Sequence, residues 1–205
     1  MQNPGASLGV KENILDAAYR LFGEVGFDAA STREIALLSG VNKALIHYHF
    51  KSKDALLEAV LDHYYNQLNG VLISALSGKG TLRQRLERMI DAYVDFLAGN
   101  INFSRIVQRE SAGGKHIGRV REQLSPLFGK AVELIQAAYP GTKSGELAAH
   151  QLLVSFYGMI IAYFTYSGVL SHLVGKDPLA RTELKARKQH LMRMLDIVLK
   201  ELDGS

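Results

Sequence analysis

The chain has 205 residues, no cysteine, and 24 basic against 20 acidic side chains. This length suffices for one or two domains with buried cores, and the lack of cysteine excludes disulfides and thiolate metal sites. The net charge of +4 permits contact with nucleic acid without requiring it. No secretory signal pattern opens the sequence, so we expect a cytoplasmic protein whose residues 1–9 form a disordered tail.

Apolar residues recur at three- and four-residue steps along the whole chain, whereas strand patterns are nearly absent. Glycines and capping residues mark where the helices begin and end. Pro126 lies inside one helix and should kink or divide it. We predict an all-α protein of about nine helices, near residues 10–25, 32–38, 43–49, 53–76, 82–99, 103–110, 117–139, 144–174 and 179–202.

Two short helices joined by a glycine-containing turn follow the first helix. Ser31 and Glu34 have the spacing of a capping box at the start of the second helix, in which Leu38 is an apolar position. Gly40 ends that helix and Asn42 caps the third. The pattern is typical of a helix-turn-helix. Packing on the first helix leaves free a cationic, aromatic face of the third helix, which carries Lys43, Ala44, Leu45, His47, Tyr48 and His49.

The run STREIALLSGVNKALIHYHFKSKDALLEAV, residues 31–60, resembles the DNA-binding domain of the TetR/AcrR family of regulators. The resemblance implies a helix-turn-helix DNA-binding domain over residues 10–55. It also implies a helical ligand-binding and dimerisation domain over residues 56–205. The sequence departs from the family at His47, where Tyr is frequent, and at Ala44 and Leu45, which replace the commoner Gly and Thr. The bases that are read therefore stay open.

By position, the resemblance implies that Thr32 caps the second helix and bonds a phosphate, and that Arg33 is a further phosphate contact. Lys43 would bond guanine, and Leu45 would touch a thymine methyl group. Lys53 would meet a phosphate at the start of the fourth helix. The predicted DNA-binding residues are Thr32, Arg33, Asn42, Lys43, Ala44, Leu45, His47, Tyr48, His49 and Lys53.

Residues 35–53 contain three lysines, two histidines and no acidic residue, as contact with phosphates requires. Structural alternatives stay open for single residues. Lys51 and Lys53 could be solvated without a partner, and Tyr48 could pack on the second helix.

Residues 147–175 contain no Asp, Glu, Lys or Arg, and a run of this length is a transmembrane candidate. The alternative function is therefore a membrane-anchored helix-turn-helix regulator with residues 147–175 in the bilayer. Polar side chains such as His150, Gln151 and His172 interrupt the run, and no dense basic cluster flanks it. We favour a helix buried on several sides and expect no membrane partner.

Small residues form a stripe on this uncharged helix and would let a second helix approach closely. The last helix adds an apolar face. We predict that both helices pair with their two-fold mates as a four-helix bundle in a homodimer. The predicted interface comprises Ser155, Gly158, Ala162, Thr165, Leu191, Met194, Leu195 and Val198.

Aromatic residues and a few polar groups are concentrated in the middle helices, a composition found in small-molecule sites. The resemblance implies an inducer site there, with the fourth helix transmitting its state to the DNA-binding domain. The alternative is that these aromatics are ordinary core. The predicted ligand residues are Tyr93, Phe96, Phe103, Arg109, His116, Tyr157 and Tyr163.

Motifs of nucleophilic, nucleotide-dependent or metal-dependent enzymes are absent from the sequence. His47 and His49 are two residues apart and so point in different directions on a helix. We therefore predict that the chain is not an enzyme and holds neither metal nor cofactor. The expected function is a dimeric regulator, a repressor, that binds a palindromic double-stranded DNA operator and is released by a small-molecule inducer.

Overall fold

The computed structural model of the protein describes residues 4–204, with side chains from residue 9 onward. This part of the chain contains ten α-helices and a 3₁₀ helix, joined by short loops. This part of the chain contains no strand, so the predicted all-α class is confirmed. The helices are α1 Pro4–Val25, α2 Thr32–Ser39, α3 Lys43–Phe50, α4 Lys53–Ser77, α5 Leu82–Gly99, α6 Ile101–Ser111, α7 Ile117–Ala138, α8 Ala149–Thr165, α9 Ser167–Val174 and α10 Arg181–Gly204, with the 3₁₀ helix over Pro140–Lys143.

The first helix is longer than predicted. It begins at Pro4, inside the segment 1–9 for which a disordered tail is predicted, whereas residues 1–3 lie outside the described residues. Proline suits the first turn of a helix, because its fixed φ is helical and its missing N–H would have no partner there. The tail prediction is therefore corrected from Pro4 onward.

The helices divide between two compact units. One unit comprises the residues up to Asn66 together with Ile101–Arg121, and the other comprises Gln67–Asn100 and the chain from Glu122 onward. The predicted boundary after residue 55 falls inside the first unit. Helix α4 continues from one unit into the other, and α6 belongs to the first unit because it packs on α1.

The first unit encloses a core of aliphatic and aromatic side chains. Helix α1 packs on both α2 and α6. The rings of Tyr19 and Tyr64 stack at 4.1 Å, and Tyr65 meets the edge of Phe103. Leu38 is 59% exposed, so its predicted place as an apolar core position of α2 is wrong. The buried residues of that helix are Ile35 and Ala36.

In the second unit α5 packs on α10 and α8. The buried residues of α10 are Leu191, Leu195 and Leu199, and ion pairs lie beside them. Arg83 bonds Asp196 at 2.5 Å, and the Lys188 ammonium lies 2.8 and 2.7 Å from the carboxylates of Asp91 and Asp95. Helix α7 passes through Pro126 without dividing. Pro126 is exposed, so solvent can bond the carbonyl that lacks a donor.

One helix was predicted over residues 144–174, and this is wrong. Helix α8 begins at Ala149, and the chain bends by 72° between α8 and α9. The Thr165 hydroxyl donates to the Ile161 carbonyl at 3.0 Å, a bond that often bends helices. Tyr166 then has φ −96° and ψ 18°, outside the α-helical region, which ends α8.

Among the residues described, no single helix has the length and apolar character needed to cross a bilayer. The bent pair α8 and α9 meets that requirement by length and composition only.

Candidate nucleic-acid interface

Helix α3 presents an exposed face and is fixed from behind. The Asn42 side-chain oxygen accepts the Leu45 N–H at 3.0 Å and so caps the helix. Ile46 and Phe50 are buried and attach α3 to the unit. One side of the helix is therefore packed against the unit, and the opposite face remains in solvent.

The exposed face of α3 carries the residues predicted for DNA reading. Lys43, Ala44, His47 and Tyr48 are exposed, and Tyr48 keeps 64% of its surface. Leu45 and His49 are half-buried at the edges of this face. We call the six residues, Lys43, Ala44, Leu45, His47, Tyr48 and His49, the reader face. The alternative in which Tyr48 packs inward is excluded.

The turn before α3 is built by local bonds. Gly40 has φ 68° and ends α2, a left-handed conformation that glycine adopts without strain. The Val41 N–H then donates to the Ala36 carbonyl at 3.1 Å. These bonds shape the turn between the two helices, and the predicted end of α2 at Gly40 is confirmed.

The cap of α2 is Ser31, and the prediction that Thr32 caps this helix is wrong. The Ser31 Oγ accepts the Glu34 N–H at 3.2 Å, and Glu34 Oε2 accepts the Ser31 N–H at 2.9 Å. Bonding to the Ser31 hydroxyl and then to its N–H lowers the pKa of Glu34. Thr32 is the first helical residue and is half-buried, whereas Arg33 is exposed.

Lys53 points into the protein. Its ammonium donates to the carbonyls of Phe27 at 2.9 Å, Ala30 at 3.0 Å and Asp28 at 3.5 Å, and it lies 4.3 Å from the Phe27 ring centroid. These bonds hold the loop between α1 and α2 against the start of α4. The predicted phosphate contact of Lys53 is thus in conflict with the structure, because its donors are already used.

Lys51 lies between α3 and α4 and is the only non-glycine residue of the described chain with a positive φ. Its φ is 64° and its ψ is −43°, and the Ser52 N–H donates to the Phe50 carbonyl at 2.7 Å. This geometry is a γ-turn of the rare, strained kind. Such strain costs about 1–3 kcal/mol.

The Lys51 side chain makes two contacts within the chain. Its ammonium donates to the Tyr48 carbonyl at 3.0 Å and lies 5.5 Å from the Tyr48 ring centroid. A cation at a helix C-terminus contributes about 0.3–1 kcal/mol when exposed. An exposed cation–π contact contributes about 0.5–1 kcal/mol. Together these contacts are similar in size to the strain and roughly offset it. Sequence reasoning did not select Lys51, because the sequence does not show its φ.

The nearest acidic residues on both sides of residues 35–53 are engaged. Glu34 belongs to the capping box. Asp54 bonds Lys115, and this bond lowers the pKa of the Asp54 carboxyl and raises that of the Lys115 ammonium. The charge of the segment that bears the reader face is therefore positive.

The predicted ligand residues do not form one group. Phe103, Arg109 and His116 belong to the first unit, whereas Tyr93, Phe96, Tyr157 and Tyr163 belong to the second. Arg109 donates to the carbonyls of Phe22 and Gly23 at 2.9 and 3.1 Å and so caps the end of α1. The prediction of a single site from these seven residues is corrected, because spacing along the chain did not show which unit each helix joins.

His116 is buried between three elements. Its Nε2 lies 3.4 Å from Asp54 and its Nδ1 3.8 Å from Glu58, both on α4. Its ring meets Phe27 at 4.8 Å, edge to face. Arg119 adds a pair with Asp62 one turn further along α4. The start of α7 is thus joined to α4 by a row of polar contacts rather than open to a ligand.

The two tyrosines predicted to bind ligand are part of the packing of the second unit. The Tyr163 hydroxyl donates to the Pro178 carbonyl at 2.8 Å, and Arg187 lies 5.0 Å from its ring. Tyr157 meets Phe128 at 5.1 Å, and burial raises the pKa of Tyr157 to about 12.

A cavity of about 930 Å³ lies elsewhere in the second unit. Gly70 and Ser74 of α4 and Gly78 just after it line the cavity at four-residue spacing, together with Arg88 and Asp91 of α5. None of the seven predicted ligand residues is in its wall. The recurrence of small residues on α4 was the signal that could have found it. A smaller cavity of about 360 Å³ in the first unit is lined in part by Arg109.

The predicted dimer residues divide by exposure. Ser155, Gly158, Ala162 and Thr165 are all exposed on α8, as an interface stripe requires. Leu191 and Leu195 are 0% and 5% exposed, so their assignment to the interface is wrong. Both residues lie on α10 and belong to the core of their own chain, where α10 packs on α5. Met194 and Val198 are half-buried, and the exposed Ile197 was missed.

Comparison with known proteins shows to which family the chain belongs. The sequence model of the bacterial regulatory proteins of the tetR family matches residues 14–60. The chain is 30% identical to the HTH-type transcriptional repressor Rv3405c of Mycobacterium tuberculosis over 173 residues, which are 84% of this chain and 81% of that protein. The chain belongs to the TetR family. This TetR-family protein is a DNA-binding transcription regulator with a helix-turn-helix.

The chain is also similar to a further relative and to two solved structures. The repressor NicS of Pseudomonas putida is 24% identical over 76% of this chain and 74% of its own length. A TetR-like regulator from Rhodococcus sp. RHA1 has a TM-score of 0.72 at 19% identity, covering 96% of this chain and 97% of that one. The fatty acid degradation regulator FadR from Bacillus halodurans has a TM-score of 0.69 at 19% identity, covering 88% and 97%. These two structures share the fold.

Proposed function

We propose that this TetR-family regulator is a dimeric repressor that binds a near-palindromic DNA operator through α3 and leaves it when a small molecule binds. The observation that carries the proposal is the exposed, cationic reader face on a helix whose opposite side is buried. A helix of this size fits the major groove, where base edges are distinguishable.

The reader face offers different chemistry at each position. Lys43 donates to guanine O6 or N7, and Leu45 contacts a thymine methyl group. Ala44 is small and lets the helix approach the bases. Tyr48 and the exposed Arg33 bond phosphates, and these contacts position the helix without specifying sequence.

Dimerisation supplies the second reader helix. Helix α8 has no charged residue and exposes Ser155, Gly158, Ala162 and Thr165, with Val154 58% exposed beside them. Contiguous exposed apolar surface of this kind marks an interaction site. A second copy of the chain would cover it by the same surface, as a two-fold interface requires.

The inducer response would run along α4. This helix lines the larger cavity through Gly70 and Ser74. Its first half forms ion pairs through Asp54 with Lys115, just before α7, and through Asp62 with Arg119 of α7. A ligand that favours one position of α4 therefore changes the population of dimers that can bind DNA. Two of the relatives named above are called repressors, which supports repression as the outcome.

The test of operator binding is selection of duplexes from a random DNA library. We expect the wild type to recover a near-palindrome. Lys43→Ala should lose preference at one position of each half-site, because its base contact is gone. Lys79→Ala removes the same charge from an exposed turn and should recover the wild-type sequence. Recovery of no preferred sequence by the wild type would reject the proposal.

Induction has a separate test. For a small molecule that raises the melting temperature, the operator affinity is measured with and without it, and the affinity for the molecule is measured with and without the operator. The small molecule should lower the affinity for the operator, and the operator should lower the affinity for the small molecule. The two affinities should fall by the same factor, because coupling between sites is reciprocal. A factor of one for such a molecule would reject it as an inducer.

A further inference from the structure

The link between the reader helix and α4 has two residues, Lys51 and Ser52, and Lys51 has a strained backbone. Lys51 has a positive φ in a γ-turn closed by the bond from the Ser52 N–H to the Phe50 carbonyl. Glycine adopts a positive φ without strain, because it lacks a Cβ. A lysine is thus an unfavourable choice for the backbone at this position.

The contacts that Lys51 makes within the chain do not account for it. The side chain is exposed, and its ammonium touches only the carbonyl and the ring of Tyr48 among the contacts described. These surface contacts roughly offset the strain of the turn, so the lysine adds little to the stability of the fold. A backbone outlier of this kind is reason to look for a role outside the chain.

We propose that Lys51 contacts a DNA phosphate beside the reader helix and that the γ-turn holds its ammonium there. The inference rests on the proposed DNA binding. The ammonium lies against the exposed Tyr48, at the end of the reader face. Asp54, the next acidic residue along the chain, is bonded to Lys115. Lysine suits a phosphate as a compact point charge.

The test compares Lys51→Gly, Lys51→Ala and Lys51→Arg with the wild type. The probe is the duplex that the wild type recovers from the random library, and its affinity is measured at several salt concentrations. Each phosphate contact contributes about 0.9 to the slope of log affinity against log salt. A dimer with two Lys51 contacts should lose about 1.8 of slope in the Gly and Ala variants. Lys51→Arg should keep the wild-type slope.

The loss can be stated as a fold-change. Over a fourfold rise in salt, the wild type should lose about 12 times more affinity than Lys51→Gly. Lys51→Gly should melt within about 4 °C of the wild type, since it loses both the strain of the turn and the contacts that offset it. Lys79→Ala carries the same change of charge away from the reader face, and its slope should equal that of the wild type.

Three outcomes decide the question. A weaker slope in the Gly and Ala variants, restored in the Arg variant, supports the phosphate contact. An unchanged slope in Lys51→Gly overturns it and leaves Lys51 as a cap of α3. Failure of the wild type to recover any duplex rejects the proposed DNA binding itself, before the variants are compared.

Discussion

Lys43, Lys51 and Lys53 lie within one short segment, yet their side chains have three different environments. Lys43 is exposed at the start of the reader helix. Lys51 sits in a strained turn, and Lys53 bonds three carbonyls of the loop before α2. The three charges therefore differ in what their removal should change.

Lys53→Met should destabilise the fold by about 1–2 kcal/mol, because the carbonyls of Phe27 and Ala30 lose a charged donor. The free energy of unfolding, measured with urea at fixed protein concentration, checks this. The salt slope of DNA binding should stay that of the wild type. A stable variant with a slope lower by about 1.8 would instead show that Lys53 contacts phosphates. Lys79→Met is the matched control.

Tyr157 should make the stability of the protein depend on pH in the alkaline range. Burial raises its pKa to about 12 in the folded protein, above its ordinary value of 10.0. The folded state therefore holds the phenol proton more tightly, so stability is intact below pH 10 and falls as the pH rises towards 12. The loss from this residue should reach about 2 kcal/mol by pH 12.

The measurement is the free energy of unfolding of the wild type and Tyr157→Phe between pH 9 and 12. The difference between the two proteins should change with pH in favour of the variant, because phenylalanine cannot ionise. Parallel curves for the two proteins would show that the Tyr157 hydroxyl is not held in its neutral form.

Single side chains were the least predictable part of the molecule. The sequence indicates where a cation stands along a helix, but Lys53 bonds a loop 23 and 26 residues earlier in the chain. That contact depends on how α1, α2 and α4 pack. Lys51 is not among the predicted DNA-binding residues, because only its backbone conformation distinguishes it from an ordinary surface lysine.

Helix α2 owes its start to one residue, and the capping box identifies it. Ser31→Ala should lower the free energy of unfolding by about 1 kcal/mol, because the Glu34 N–H loses its acceptor. Thr32→Ala, one residue later, should change it by less than about 0.5 kcal/mol. Urea titrations of both variants check the pair. The reverse order would make Thr32 the cap.

Elements with local signals were predicted well. Helices α2 and α3 were placed to within a residue or two, because Ser31, Gly40 and Asn42 fix their ends by bonds to near neighbours. The break between α8 and α9 was missed, since an uncharged run of apolar residues has no cap or proline to mark it. The bond from the Thr165 hydroxyl to Ile161 becomes apparent only in the structure.

At the scale of the whole molecule, a two-fold dimer needs a surface that makes no contacts within its own chain. Gly158 meets this condition, because a Cβ built there finds no atom within 4 Å. Gly158→Arg should therefore fold with unchanged helix content but remain a monomer, because the arginine blocks the close approach of a second α8. Sedimentation equilibrium measures the mass.

The control for that variant is Gly129→Arg on α7, where a Cβ also finds no atom within 4 Å. This protein should remain a dimer with wild-type affinity for DNA, whereas Gly158→Arg should bind much more weakly. A dimer of unchanged mass in Gly158→Arg would place the interface elsewhere.

The arrangement of the domains was predicted only in outline. An N-terminal helix-turn-helix followed by longer helices was read from periodicity, and the family assignment agrees with it. The sequence did not predict that α6 and the start of α7 belong to the first unit. Nothing in the sequence around Arg109 and His116 shows whether these residues bind a ligand or pack on α1 and α4. Pocket residues depend on such long-range packing.

The central claim, that α3 lies in the major groove, is tested most directly by dimethyl sulfate probing of the selected duplex. The reagent methylates guanine N7 in the major groove and adenine N3 in the minor groove. We predict protection of guanine N7 in two patches about one helical turn apart, or a whole multiple of it, with protection weakened in Lys43→Ala. Reactive guanines together with protected adenines would contradict the account.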